Sequence, residues 1–205
     1  MRNAVGFYWT LPVPWAGFTR LPADIDAAAQ ASRTIRYQRE LVRRYAARFD
    51  FRLVHEGVFL EVEPDRGSPY ILAALAAVAS DCRTHSADLL VVDFSEAQGW
   101  RSHPPMQDWC AAQGIGLVPV WPDEIELDGA PFDPVEHFRQ WRQRQKDWSA
   151  AKLERGRHAR LRAMQLRQQG LSYRSTAEIL NQECFLSLTG RPWTADNLRK
   201  LLATR

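Results

Sequence analysis

With 205 residues the chain has room for one medium domain and a small one. Its 45% hydrophobic and 25% charged residues are those of an ordinary globular protein, which excludes fibrous and low-complexity classes. The net charge of +3 hides an asymmetry: residues 131–205 hold 15 Lys and Arg against 7 Asp and Glu, a net of +8, whereas residues 1–130 hold 12 against 17, a net of −5. An acidic body joined to a basic tail points the tail toward a polyanion.

The chain opens with a buried strand over 4–9, ending before Pro12 and Pro14, and continues into a loop long enough to carry function. Residues 32–48 have Ile35, Leu41, Val42 and Tyr45 at helical spacing, with the arginines elsewhere. A strand is expected over 51–62, bounded by Pro64 and Gly67. Ser68-Pro69 reads as a capped helix start, with the helix running to about Cys82. The apolar run 87–93 has the character of a strand inside a parallel sheet. A short helix over 105–113, closed by Gly114, leads to a further buried strand over 115–121. This alternation predicts an α/β domain over 1–130, a parallel sheet flanked by helices.

A loop containing Pro122, Gly129 and Pro131 follows, and then the composition changes. Residues 134–169 read as one long basic helix, Gly156 its weak point, stopped by Gly170. Phe138, Trp141 and Trp148 give its first half an apolar side, facing either a partner or the chain's own sheet. Ser172 caps a helix with Thr176, Ile179 and Leu180 inward; a turn or hairpin over 185–193 follows; Thr194 caps a last helix with Leu198, Leu201 and Leu202 on one side. Two capped helices and a link, after a basic helix, predict a small all-α helix-turn-helix domain over 171–205, with 131–170 as a connecting or dimerisation helix.

In such a motif the last helix enters the major groove. Its candidate contacts are Thr194, Asn197 on adenine, and Arg199 and Lys200 on guanine or phosphate. Ser172, Tyr173, Arg174, Arg191 and Trp193 sit around the pair, and Arg155, Arg157 and Arg160 on the long helix suit phosphates. The partner expected is double-stranded DNA, bound by a homodimer.

Other chemistry finds little support. Cys82, Cys110 and Cys184 are odd in number and far apart, and the five histidines are scattered, so neither a zinc site nor a disulfide framework is expected. No nucleotide-loop or hydrolase motif occurs, and no cofactor is implied. The longest apolar run, 70–79, is too short for a membrane span, and a cytoplasmic protein is expected.

Two segments carry a family resemblance. Gly170-Leu-Ser-Tyr-Arg-Ser-Thr-Ala-Glu-Ile-Leu-Asn181 followed by Thr189-Gly-Arg-Pro-Trp-Thr-Ala-Asp-Asn-Leu-Arg-Lys-Leu-Leu202 resembles the DNA-binding domain of large serine recombinases. More loosely, Tyr37-Gln-Arg-Glu-Leu-Val-Arg-Arg-Tyr-Ala46, Arg66-Gly-Ser-Pro-Tyr-Ile-Leu-Ala-Ala-Leu75 and Asp88-Leu-Leu-Val-Val92 resemble elements of that family's resolvase-type catalytic domain. The resemblance implies a resolvase-like sheet, duplex DNA as partner, dimerisation through the long helix, and a bacterial, nucleoid-associated location.

The departures fall on the catalytic set. Where the family ends its first strand in Tyr-x-Arg-x-Ser, this chain has Phe7-Tyr-Trp-Thr-Leu11, placing Trp9 for the arginine and Leu11 for the nucleophilic serine. Where the family has Asp-Arg-Leu-x-Arg, this chain offers Glu96, Ala97 and Trp100. Without hydroxyl and arginines there is no covalent DNA intermediate and no stabilised phosphoryl charge, so a non-enzymatic DNA-binding protein is expected. It would regulate transcription, or the movement or replication of a genetic element. The alternatives are a recombinase using relocated groups such as Thr10, Ser95 or Arg101, and an α/β protein with a ligand pocket lined by Trp9, Asp93, Glu96 and Trp100.

Overall fold

The computed structural model describes residues 1–62, 68–95 and 103–203. It forms two compact units: Met1–Pro12 with Arg20–Gln140, and Val13–Thr19 with the chain from Trp141 onward.

The first unit is α/β. Strands β1 (Arg2–Thr10), β2 (Phe51–Leu60), β3 (Asp88–Val92) and β4 (Leu117–Val120) make one sheet in the order β2-β1-β3-β4, every neighbouring pair parallel. Ala4 to Thr10 are buried without interruption. Because successive strand residues point to opposite faces, an unbroken buried run means that both faces of the sheet are covered. The covering helices are α1 (Ile25–Ala31), α2 (Arg33–Arg48), α3 (Ile71–His85) and α4 (Pro104–Gln113). The expected helix over 32–48 is present as α2, started by the Ser32 hydroxyl, which accepts the Ile35 N–H, and Ile35, Leu41 and Val42 are buried.

Three expectations for this unit are corrected. The loop after β1 contains α1, capped by Asp24, whose carboxylate accepts the Ala27 N–H at 2.8 Å. Ser68 does not cap α3: that helix begins at Ile71 with Tyr70 in the cap position and no side-chain cap bond, while Ser68 is buried two residues earlier, its backbone N–H on Glu61 and its hydroxyl without a partner among the described residues. The segment taken as loop after β4 is an antiparallel hairpin, β5 (Ile125–Leu127) and β6 (Ala130–Phe132), turned by Asp128 and Gly129 at φ 58° and 75°. Two successive residues in the left-handed region define the tight turn that suits a hairpin's twist. Arg36 of α2 pins that turn, donating to both carboxylate oxygens of Asp128.

The expected long helix is two helices, α5 (Pro134–Ala150) and α6 (Lys152–Gln168), and the break lies at Ala151, not at Gly156. Arg155 causes it. Its Nη1 donates to the Trp148 carbonyl at 2.5 Å, the oxygen that an unbroken helix gives to the N–H of Lys152.

The second unit packs α6 against α7 (Tyr173–Gln182) and α8 (Ala195–Ala203) around Ala159, Ala163, Ala177, Leu180, Trp193 and Leu198. Small residues on α6 let the other helices approach closely. Residues 183–194 join α7 to α8 as a turn without strand structure, closed by Gly190 N–H on the Ser187 carbonyl. Gly190 has φ +78°, and a Cβ there would stand 2.5 Å from the Pro14 carbonyl oxygen, so only glycine fits. The segment 13–19 thereby belongs with this unit, where Trp15 also meets Trp141 at 6.1 Å.

Candidate nucleic-acid interface

The second unit brings some of the sequence-predicted residues to its surface and holds others inside. Ser172 caps α7, accepting the Ser175 N–H at 3.1 Å. Thr194 and Asn197 cap α8 reciprocally: Thr194 Oγ1 accepts the Asn197 N–H at 3.2 Å, and Asn197 Oδ1 accepts the Thr194 N–H at 2.7 Å. This is a capping box, with asparagine in the place usually held by glutamate. Asn197 Nδ2 also donates to the Pro192 carbonyl.

The Asn197 carboxamide is thus bonded at the start of its own helix. Trp193, at 5% exposure, is a core residue, with Asn181 bonded to both its N–H and its carbonyl. Arg155 packs on its own chain as well. Its guanidinium lies 3.3 Å from the Trp148 ring centroid and is turned back onto the helix that precedes it, and desolvation lowers its pKa from the ordinary value.

The remaining cations stay at the surface. Arg174 is 87% exposed and bridges to Glu178 at 3.2 Å, a pair of little energetic weight at such exposure. Arg157 and Arg191 are exposed. Arg160 is half-buried and donates to the Leu201 carbonyl at 3.4 Å. Arg199 and Lys200 project from α8 with Asp196 beside them, at 3.9 and 2.9 Å. The Lys200 hydrogen bond, and then the charges of Lys200 and Arg199, hold the Asp196 carboxyl below the usual carboxylate range.

Tyr173 is half-buried, with Arg167 and Arg199 stacked on its ring at 4.3 and 5.3 Å. Arg167 was missed in the sequence. Its signal was its place in the last turn of α6, from which its guanidinium reaches the Leu171 carbonyl beyond the helix end. Lys152 was also missed: it lines one groove with Arg157, Arg160, Asn197 and Lys200.

In the first unit, the carboxyl ends of the strands are filled by aromatic rings. Trp9 lies 5.6 Å from Phe94 and 6.4 Å from Phe138, and Phe94 and Phe138 are 4.9 Å apart. Phe138 therefore packs on its own sheet, not toward a partner. Trp9 is buried beneath it, which removes it from the wall of an open pocket. Leu11 is 3% exposed, and the buried Thr10 hydroxyl accepts that of Ser32 at 3.1 Å. Asp93 accepts the Ser95 N–H at 2.8 Å. Glu96, Ala97, Trp100 and Arg101 lie outside the described residues.

A buried acid nearby was invisible in the sequence. Glu61 is 1% exposed at the end of β2 and receives the N–H groups of Val62 and Ser68 at 2.7 and 3.0 Å, with His103 Nε2 at 2.8 Å. Its oxygens are occupied by groups that fix local backbone, so it ties the start of α4 to the sheet. Burial raises the thiols of Cys82 and Cys110, the latter to about 11, so neither is a ready nucleophile. Among the described residues no three His, Cys, Asp or Glu side chains form a metal-binding group, and no helix is long and apolar enough to cross a membrane. No protein-family model, no curated protein and no solved structure matches this chain.

Proposed function

We propose that the chain is a sequence-specific double-stranded DNA-binding protein, acting as a homodimer, whose α/β unit performs no phosphoryl transfer. The observation that carries the reading is the last helix. α8 is capped at its start, held to the core by the fully buried Leu198, and presents Arg199 and Lys200 outward. In this reading α7 and α8 act as a helix-turn-helix with an extended link. Arg199, Lys200 and Thr194 face the bases, and Arg157, Arg160, Arg174 and Arg191 grip phosphates with Ser172 and Tyr173 between them.

The loss of catalysis is supported by Leu11 and by the enclosure of Thr10 within the core, which leave no attacking hydroxyl at the end of β1. Together with the sequence resemblance, this favours a silent relative of the serine recombinases, serving regulation or the upkeep of a mobile or replicating element. The test is selection of bound duplexes from a random pool with the native chain and with Arg199→Ala. A defined consensus that relaxes at one or two positions in the variant supports the reading. An unselective pool refutes it.

A further inference from the structure

Between α6, the 183–194 link and α8 lies a groove of about 490 Å³. Leu188, Leu201 and Trp193 form its apolar floor, while Lys152, Arg157 and Lys200 stand around it, and among the described residues no acidic side chain lines it. Trp193 is buried, yet its indole Nε1–H has no acceptor among the described residues. Buried indole donors ordinarily find one, because an unmade hydrogen bond is costly. The back of the groove is Gly156, inside α6, where a Cβ would come within 3.2 Å of Leu188. Glycine weakens a helix interior, and here its missing side chain lets Leu188 come close to α6 at the edge of the groove.

We propose that this groove is a binding site for a small apolar molecule carrying one anionic head group. Its volume lies in the range of small-molecule sites, about 300–1,000 Å³, and its make-up matches theirs: an apolar body with a few converging polar groups. The floor rewards burial of a hydrocarbon chain or ring. Lys152 and Arg157 select a negative head group, while Lys200 is already bridged to Asp196. A DNA phosphate would leave the floor empty, and a neutral apolar molecule would leave the cations unused. The proposal goes beyond DNA binding and is tested without DNA.

The experiment is calorimetric titration of the full chain with dodecanoate, dodecanol and acetate, each below its aggregation concentration. Saturable one-to-one binding of dodecanoate is expected, about tenfold tighter than dodecanol for one charge-assisted contact, and none of acetate. Gly156→Leu fills the groove and Leu188→Glu places a carboxylate on its floor; each should weaken dodecanoate binding at least tenfold. Arg157→Gln should bring dodecanoate and dodecanol together. Circular dichroism verifies that the variants are folded, and should Gly156→Leu unfold, Leu188→Glu decides. Dodecanoate that fails to bind, binds without saturation, or binds both groove variants as it binds the native chain overturns the proposal.

Discussion

Thr194 and Asn197 bond each other twice at the start of α8, backbone N–H to side-chain oxygen in both directions, at 2.7 and 3.2 Å. The pair fixes where the helix begins and hence which residues face outward. Asn197→Ala should destabilise the second unit by about 1 kcal/mol in urea denaturation while leaving the DNA consensus as the native chain selects it. A consensus altered at one base would return Asn197 to direct readout.

How much of this was legible in the sequence depended on whether a signal was local. The caps at Ser172 and Thr194 were readable because a hydroxyl before an amphipathic run has few other uses. So were the parallel strands, from their uninterrupted apolar runs. The hairpin at 125–132 was missed although Asp128-Gly129 is a strong turn signal, because its strands are only three residues each and Pro131 sits in one. Non-local facts could not be read. Nothing in the sequence near Arg155 says that its guanidinium will turn back to Trp148, that Asn197 will bond Thr194 at the helix start, or that Pro14 will meet Gly190.

Phosphate contacts should be separable from base contacts by salt. Arg174→Ala and Arg191→Ala are expected to weaken binding to all duplexes alike, each reducing the slope of log K against log salt by about 1. Fluorescence anisotropy at several ionic strengths measures it. Sequence-dependent losses would assign these arginines to bases.

Asp196 sets the charge on the exposed face of α8, beside Arg199 and Lys200. Its carboxyl is held below the ordinary range, so it stays ionised at neutral pH and takes its proton only as pH falls through that lowered value. Asp196→Asn should therefore tighten duplex binding about threefold at low salt and flatten the acidic limb of its pH dependence. Equal affinity at every pH would mean that Asp196 lies away from the DNA.

Glycine at 190 is required by both its φ of +78° and the closeness of Pro14. Gly190→Ala should cost at least about 1–3 kcal/mol, lowering the unfolding temperature of the second unit. Unchanged unfolding would mean that the 13–19 segment does not pack there.

The thiols report on the fold directly. Cys184 is exposed, whereas Cys82 and Cys110 are buried with raised pKa values. Titration with a thiol reagent at pH 8 should show one fast equivalent in the native chain and two more on unfolding. Three fast thiols would contradict the core assigned to α3 and α4.

The most direct measurement is an equilibrium binding assay of the full chain on duplex DNA at low ionic strength, for the native chain and for Arg199→Ala with Lys200→Ala combined, with the products run on a denaturing gel. The native chain should bind, the double variant should bind at least tenfold more weakly, and every strand should be recovered intact and free of protein. Indifference to duplex DNA, or a nicked or protein-linked strand, would contradict the account.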